Sequence, residues 1–181
     1  MNVTVFGGAN PQPGEPAYEA AYRLGMLLGK AGHTVLTGGY IGTMEAVSRG
    51  AKEGGGHVVG VTCSEIESWR KVKANAWVME ERSFTSLRER LFALIDGCEA
   101  AIALPGGAGT LAEIALLWNQ LIIEAVAPRP LILIGGGWDA VFKTMFSTMG
   151  EYVKERDRKW LIFARDVDEA CQHIQEISQN V

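Results

Sequence analysis

The sequence predicts an α/β fold in which a mostly parallel sheet carries helices on both faces. Short apolar runs alternate with amphipathic segments along the whole chain, which is typical of parallel strands joined by crossover helices. Glycine-rich turns follow several of the apolar runs. Because all of these turns follow strands, we expect them to converge on one edge of the sheet, outside the carboxyl ends of the strands, where such folds bind ligands.

The individual elements follow from the spacing of apolar residues. Short apolar runs predict strands at residues 3–6, 34–37, 57–61, 77–79, 100–104, 131–134 and 159–163. Helical spacing predicts helices at residues 17–31, 44–52, 83–98, 111–125, 140–149 and 167–178. Pro16 suits the first position of the first helix, and Gly32 suits its C-terminal end. Residues 63–74 are polar and mixed, and they give no assignment.

Length and composition limit the class of protein. With 181 residues, 48% of them hydrophobic, and no break in composition, residues 1–181 are expected to form one domain with a sizeable core. The net charge of −4 and the lack of a basic run disfavour a nucleic-acid partner. Three widely separated cysteines and the lack of a signal peptide favour a cytoplasmic location. No apolar run approaches the length of a membrane span, so no membrane partner is expected.

The most informative stretch is residues 105–113, Pro-Gly-Gly-Ala-Gly-Thr-Leu-Ala-Glu, directly after a predicted strand. A strand, a glycine turn and a helix start leave backbone N–H groups directed at an anion. Glu113 lies beside that helix start, so one interpretation is a phosphate site with an acid next to it. The alternative is a capping box, in which Glu113 only accepts a hydrogen bond from the Thr110 backbone N–H.

A second glycine turn at residues 38–43 suggests a second wall of a phosphate or sugar pocket, and Thr43 is suited to cap the helix that follows. Neither turn has the G-x-G-x-x-G pattern of dinucleotide sites or the lysine of a P-loop, so nicotinamide cofactors and P-loop ATP hydrolysis are disfavoured. The spacing of the histidines matches no metal site. Arg88 and Arg90 flank the apolar stripe of the helix before the main motif, and spacing alone does not choose between them.

With these residues in view, the chain resembles the Lonely Guy family, also known as lysine decarboxylase-like proteins. The family signature PGGxGTxxE is complete at residues 105–113, and the family arginine falls at Arg90. The upstream motif GGGxxGLMG resembles residues 38–45, where Tyr40 and Glu45 replace glycines, so the resemblance is to a divergent branch. Glu45, close to a helix N-terminus, is expected to repel a phosphate unless its side chain points away.

The resemblance implies a Rossmann-like three-layer sandwich and a nucleoside 5′-monophosphate phosphoribohydrolase. Such an enzyme hydrolyses the N-glycosidic bond of AMP or a cytokinin monophosphate and releases the base and ribose 5-phosphate. The resemblance assigns catalysis to Arg90 and Glu113. It assigns phosphate or nucleotide binding to Gly8, Gly39, Gly42, Thr43, Met44, Gly106, Gly107, Gly109 and Thr110.

The same resemblance implies a homodimer or a larger homo-oligomer, with no metal and no cofactor. Pyridoxal phosphate is also disfavoured by the residues themselves, because no lysine adjoins a glycine turn. A related branch of the superfamily carries the molybdenum cofactor without converting it. The alternative hypothesis is therefore a non-catalytic carrier of a phosphorylated ligand, either a nucleotide or a ligand of the molybdenum cofactor type.

Overall fold

The structure is a computed structural model that describes residues 1–178. Within this range seven strands form one sheet: β1 (Asn2–Phe6), β2 (Thr34–Thr37), β3 (His57–Cys63), β4 (Glu80–Phe84), β5 (Ala100–Ala103), β6 (Leu131–Ile134) and β7 (Leu161–Ala164). The helices of this range are α1 (Pro16–Lys30), α2 (Thr43–Glu53), α3 (Ser64–Arg70), α4 (Leu87–Asp96), α5 (Ala108–Ile122), α6 (Gly136–Thr148), α7 (Glu155–Arg158) and α8 (Val167–Ser178). The predicted domain also includes residues 179–181, which lie outside the described part.

The strand order is β4-β3-β2-β1-β5-β6-β7, and every neighbouring pair is parallel. From β1 the chain builds the sheet outward through β2, β3 and β4, and α4 then returns it to β5 on the other side of β1. The strand order therefore reverses between β1 and β5. At such a point the helices that follow the two strands, α1 and α5, lie on opposite faces of the sheet, and a crevice forms outside the carboxyl ends of the strands.

The sheet has a hydrophobic layer on each face. Successive side chains of a strand point to opposite faces, so Val35 and Ile102 pack with residues of α1, α2 and α8. The next residues along these strands, Leu36 and Ala103, pack on the other face with residues of α4, α5 and α6, and so does Leu133 of β6. Each fully buried large aliphatic side chain contributes about 1.5–3 kcal/mol to stability. The predicted α/β sandwich with helices on both faces is confirmed, and the sheet is parallel throughout.

The predicted strand at residues 77–79 is wrong, because the strand is β4, three residues later. Its register runs from Val59 opposite Glu80 to Cys63 opposite Phe84. β4 lies at the edge of the sheet, with β3 as its neighbour. A strand in this position is held by backbone pairing and needs few apolar side chains, so its sequence, EERSF, shows no apolar run.

The predicted start of the helix at residue 83 is also wrong. Residues 83 and 84 belong to β4, and α4 begins at Leu87 after the N-cap Ser86. The Ser86 hydroxyl accepts a hydrogen bond from the Glu89 N–H, and the Glu89 carboxylate accepts one from the Ser86 N–H. The capping box of this region therefore lies in α4.

Two other helices begin three or more residues earlier than predicted, whereas α1 and α2 begin only one residue earlier. α5 starts at Ala108 instead of residue 111, and α6 starts at Gly136 instead of residue 140. Glycine has a low intrinsic helix propensity, which favours a turn at both places when the sequence is taken alone. Tertiary contacts override that preference: in α6, the indole Nε1 of Trp138 donates to the Leu104 carbonyl oxygen at 3.0 Å, which fixes the first turn against the end of β5.

Candidate active site

The turn after β5 is the first wall of the crevice. Gly107 is the N-cap of α5, and the first intrahelical bond runs from the Leu111 N–H to the Gly107 carbonyl oxygen at 3.0 Å. The N–H groups of residues 108–110 therefore have no acceptor within the helix. A Cβ on Gly107 or Gly109 would meet no atom within 4 Å. The backbone of this turn is consequently open to a ligand, and its free N–H groups suit an anion.

The turn after β2 is the second wall, and it is joined to the loop after β1. Gly42 has a φ of 74°, and a Cβ there would lie 2.6 Å from the Gly8 carbonyl oxygen. That oxygen accepts hydrogen bonds from both the backbone N–H and the hydroxyl of Thr43, at 2.9 and 3.0 Å. Thr43 is not the cap expected from the sequence, because Gly42 is the N-cap of α2 and Thr43 is the first helical residue.

The three turns meet at the point where the strand order reverses. A Cβ on Gly8 would lie 3.7 Å from the Cα of Gly106, so the loops after β1 and β5 are in contact. A Cβ on Gly106 would in turn lie 2.2 Å from the Thr110 hydroxyl oxygen. Met44 is buried close to Gly38, on the side of the second turn. Gly39 lies against β3, where its Cβ would be 2.9 Å from a methyl group of Thr62.

Arg90 and Glu113 form a buried pair beside these turns. The Arg90 side chain is 6% exposed and that of Glu113 is 10% exposed, and Arg90 Nη1 lies 3.7 Å from Glu113 Oε1. Arg90 Nε donates to the Val61 carbonyl oxygen at 2.8 Å, which ties the guanidinium to the end of β3. Arg88 is exposed. The structure thus brings Arg90 to Glu113, as the family resemblance implied, and leaves Arg88 at the surface.

Burial raises the pKa of Glu113 to about 7, and the nearby Arg90 guanidinium opposes this rise without cancelling it. At 3.7 Å the pair is longer than a direct hydrogen bond, so the desolvation of the carboxylate outweighs the attraction. An acid with such a pKa is partly ionised at neutral pH. It can therefore accept a proton or stabilise a positive charge under physiological conditions.

The interpretation of Glu113 as a helix cap is wrong. The predicted box needs Thr110 as the N-cap, but α5 begins two residues before Thr110 and has no side-chain cap. Glu113 lies in the second turn of the helix, beyond the reach of the first N–H groups, and its carboxylate is near Arg90 instead. A buried carboxylate in this position has no capping function, so its presence needs another explanation.

Tyr40 and Glu45, the two departures from the family motif, both interact with other parts of the protein. Tyr40 is buried, and its hydroxyl donates to the Cys63 carbonyl oxygen at 3.1 Å and accepts from the Cys63 N–H at 2.8 Å. Its ring lies 5.7 Å from the Arg90 guanidinium carbon, a cation–π distance. The pKa of Tyr18, a residue of α1, is raised mainly by burial and to a smaller extent by the negative charge of Glu45. The Glu45 carboxylate is therefore close to α1.

Sequence reasoning missed two groups that support the site. One is the side chain of Asn75, whose amide donates hydrogen bonds to two carbonyl oxygens of the second turn. Asn75 lies in a stretch whose apolar residues show neither helical nor strand spacing. The other is the buried hydroxyl pair of Thr37 and Ser48, 3.1 Å apart, beneath Gly39. The Gly39 N–H donates to the Thr37 hydroxyl oxygen at 3.1 Å. A threonine at the end of β2 and a serine on the buried side of α2 are a weak signal that could have indicated this pair.

Neither a metal-binding cluster nor a membrane-spanning helix occurs among residues 1–178. In this part of the chain no three His, Cys, Asp or Glu side chains are grouped closely enough to hold a metal ion. No helix of the described range has the length and apolarity needed to cross a membrane.

Comparison with known proteins places the chain in a family. A model of the SLOG cluster4 family matches residues 1–124, which is more than half of the sequence. The chain belongs to the SLOG cluster4 family. The matched range contains all three turns and both members of the Arg90–Glu113 pair.

Curated relatives of this SLOG cluster4 protein extend the comparison. It is 29% identical over 178 residues to a probable cytokinin riboside 5′-monophosphate phosphoribohydrolase of Oryza sativa subsp. japonica, covering 96% of this chain and 77% of that protein. A second probable cytokinin riboside 5′-monophosphate phosphoribohydrolase of the same organism is 35% identical over 142 residues, which is 77% of this chain and 56% of the relative. The resemblance to the Lonely Guy family is thereby confirmed.

A solved structure supports the same architecture. The molybdenum cofactor binding protein of the phototrophic bacterium Rippkaea orientalis superposes with a TM-score of 0.75 and 24% identity, covering 97% of this chain and 96% of that one. This likeness concerns the fold. Together with the strand order, it confirms the Rossmann-like three-layer sandwich.

Proposed function

We propose that this protein hydrolyses the N-glycosidic bond of nucleoside 5′-monophosphates, of the AMP or cytokinin monophosphate class. The observation that carries the proposal is the buried Arg90–Glu113 pair beside an open glycine turn. A carboxylate with a pKa of about 7 and free helix N–H groups at one crevice match the two parts of such a substrate, the ribose and the phosphate.

In this proposal the 5′-phosphate binds at the N-terminus of α5. The N–H groups of residues 108–110 donate to its oxygens, and the helix dipole adds a favourable term of about 0.3–1 kcal/mol. Gly107 and Gly109 leave the backbone free of side chains, so the phosphate can approach closely. The opposite wall is formed by the loop at Gly8 and by the turn that contains Gly42, Thr43 and Met44. Gly39, in the same turn, packs against β3 and so supports this wall.

The chemical step breaks the bond between ribose C1′ and the base nitrogen and adds water. The electron pair of the broken bond goes to the base, which leaves with a proton, and the water oxygen bonds to C1′. As the bond breaks, positive charge develops on the ribose ring. An ionised Glu113 stabilises that charge and accepts a proton from the attacking water. The base takes its proton from solvent, and Glu113 returns its own proton to solvent, so the net reaction consumes one water. Arg90 holds the carboxylate in place, since its Nε is already fixed to Val61.

The curated relatives support this proposal through the reaction in their names, hydrolysis of cytokinin riboside 5′-monophosphates. We extend the proposal to three further features: residues 1–181 act as one domain, the protein works in the cytoplasm, and it assembles as a homodimer or larger homo-oligomer. Analytical ultracentrifugation tests the assembly, and a monomer at micromolar concentration contradicts that part.

A direct assay tests the reaction. Purified protein is incubated with AMP and with cytokinin riboside 5′-monophosphates, and free base and ribose 5-phosphate are measured by chromatography. We expect equal amounts of both products. The nucleosides without phosphate are the control, and they should react much more slowly because the phosphate site remains empty. Absence of base release from every monophosphate, by protein that binds AMP, contradicts the proposal.

The alternative is a carrier that holds a phosphorylated ligand, such as a nucleotide or the molybdenum cofactor, without converting it. The sequence supported this alternative through Tyr40 and Glu45, which were expected to alter the pocket. Tyr40 is instead part of the core, and Glu45 lies close to Tyr18. Native mass spectrometry of freshly purified protein separates the two hypotheses, because a carrier retains an intact ligand and shows no turnover.

A further inference from the structure

The loop between α3 and β4, residues 71–79, is fastened to the body of the protein below the second glycine turn. The Met79 N–H donates to the Val58 carbonyl oxygen at 3.0 Å. The Val78 side chain fills the space beside Gly60, where a Cβ would lie 2.7 Å from one of its methyl groups. Trp77 lies under the Arg49 guanidinium at 5.4 Å. Three successive residues therefore hold this part of the loop in place.

Asn75 lies just before this anchored segment, and its side-chain nitrogen, side-chain oxygen and backbone N–H all form hydrogen bonds. Its Nδ2 donates to the carbonyl oxygens of Gly39 and Tyr40, at 3.0 and 2.9 Å. Its backbone N–H also donates to the Gly39 carbonyl oxygen, at 2.8 Å. Its Oδ1 accepts from the Trp77 N–H at 3.0 Å, which forms a local turn. The side chain thus connects a rigid loop to two consecutive peptides of the second glycine turn.

These two peptides adjoin the residues that contact Arg90. A Cβ on Gly38 would lie 1.9 Å from Arg90 Nη2, so the guanidinium packs directly on the Gly38 backbone. The Tyr40 ring also packs on the same guanidinium, with its centroid 5.7 Å from the Arg90 Cζ atom. Displacement of the turn would therefore move two of the surfaces against which Arg90 packs, while its bond to Val61 remains.

We propose that Asn75 is a positioning residue of the site: its amide holds the second glycine turn in the conformation on which the Arg90 guanidinium packs, and so fixes the distance from Arg90 to Glu113. Asn75 touches neither member of the pair and acts through Gly39 and Tyr40. Its importance for catalysis rests on the proposed function. Its effect on the pair itself does not, and the two can be measured separately.

The informative variant is Asn75→Ser, because a serine hydroxyl can still accept from the Trp77 N–H but is too short to bond to both carbonyl oxygens. Asn75→Ala is the second variant, and it adds no charge near the site. Asn119→Ala removes an exposed amide elsewhere and is the matched control. Ile174→Val, in the opposite layer of the core, is the control for a general loss of stability.

The first readout is the titration of the Glu113 carboxyl, followed by ¹³C NMR, and it needs no substrate. In Asn75→Ser and Asn75→Ala we expect the pKa of Glu113 to rise above its wild-type value, because a displaced Arg90 lowers it less. In both controls it should be unchanged. If both Asn75 variants titrate like the wild type while only their melting temperature falls, Asn75 is part of the scaffold and the inference is wrong.

The second readout is hydrolysis of AMP. We expect kcat to fall by about tenfold or more in both Asn75 variants, because small displacements of a reacting group are costly. The two controls should retain wild-type kcat. If no variant and no wild-type protein hydrolyses any monophosphate, the proposed function fails, and the titration of Glu113 alone decides whether Asn75 positions Arg90.

Discussion

The two glycine turns of the crevice contain glycine for different reasons. In the turn after β2, the protein itself requires it: Gly42 has a positive φ and touches the Gly8 backbone, and Gly38 lies against Arg90. In the turn after β5, Gly107 and Gly109 have neither a positive φ nor a neighbour within 4 Å. The turn after β2 is therefore glycine-rich because the fold requires it. The turn after β5 contains two glycines, Gly107 and Gly109, that the fold does not explain and that close approach of a bound phosphate would explain.

The largest effect is expected at the acid that follows the turn after β5. Glu113→Gln keeps the shape of the side chain and removes its charge, so we expect AMP hydrolysis to fall by about 10²-fold or more. The fold should survive, because a carboxyl with a pKa of about 7 is already partly neutral at neutral pH. Initial rates and circular dichroism measure the two outcomes.

The matched control for this change is Glu45→Gln, in the helix after the other turn. The Glu45 carboxylate is close enough to Tyr18 of α1 to raise the pKa of that hydroxyl, so we expect hydrolysis to change by less than about twofold, the effect of a few tenths of a kcal/mol. Equal losses in the two variants would show that the acid beside the second turn is as important as Glu113.

The same carboxyl predicts how stability depends on pH. The pKa of Glu113 is about 7 in the folded protein, whereas a glutamate exposed to water, as in the unfolded chain, has a pKa of 4.5. The folded state therefore binds the proton more tightly. The stability that this group contributes is fully present below pH 4.5 and is lost as the pH rises to about 7, a loss of about 3 kcal/mol. Urea unfolding at pH 5 and pH 8 measures the free energy, and in Glu113→Gln this component of the change should be absent. Identical pH dependence in both proteins contradicts the high pKa.

Gly42→Ala tests whether folding requires the glycines of the turn after β2. The substitution places a side chain at a φ of 74° and brings its Cβ to 2.6 Å from backbone atoms of Gly8 and Ala9. We expect the free energy of unfolding to fall by about 2 kcal/mol or more, measured by urea denaturation.

Gly55→Ala is the control for Gly42→Ala, because it combines a φ of 89° with no neighbour within 4 Å. It should lose about 1 kcal/mol, from the backbone conformation alone. If the two alanine variants are equally stable, contact between the β1 and β2 loops is not what requires Gly42.

Gly109→Ala should produce the smallest effect and the opposite pattern. Alanine is the better helix former, so stability should rise by up to about 1 kcal/mol. A methyl group beside the free N–H groups should weaken AMP binding about tenfold, or 1.4 kcal/mol. Calorimetric melting measures the stability, and calorimetric titration measures the affinity for AMP.

The control for this change is Gly136→Ala. Gly136 is also in the first turn of a helix and has no neighbour within 4 Å, so its variant should gain stability without losing affinity. Unchanged affinity in Gly109→Ala would remove the argument that a ligand explains this glycine.

Much of the fold was predictable because the inner strands are buried on both faces and so appear as apolar runs. β2 and β6 have the predicted limits. The failures have identifiable physical causes. β4 is an edge strand held by backbone pairing and α3 buries no side chain, so neither segment shows an apolar pattern. The first turns of α5 and α6 contain glycines, whose low helix propensity favours a turn when the sequence is taken alone. In β4 and α6 long-range contacts decided the structure, through pairing with β3 and the bond from Trp138 to Leu104.

The alternation of strands with helices, the glycine turns after the strands and the acid after the turn at β5 are all readable from the chain before it folds. Local periodicity and turn chemistry are sufficient for those features. Folding adds what no local pattern contains: Arg90 is buried and Arg88 exposed, Glu113 is no helix cap, and Tyr40 and Asn75 support the site from outside. These outcomes depend on which loops meet where the strand order reverses, and on the burial that raises the pKa of Glu113. Both arise from contacts between residues far apart in the chain.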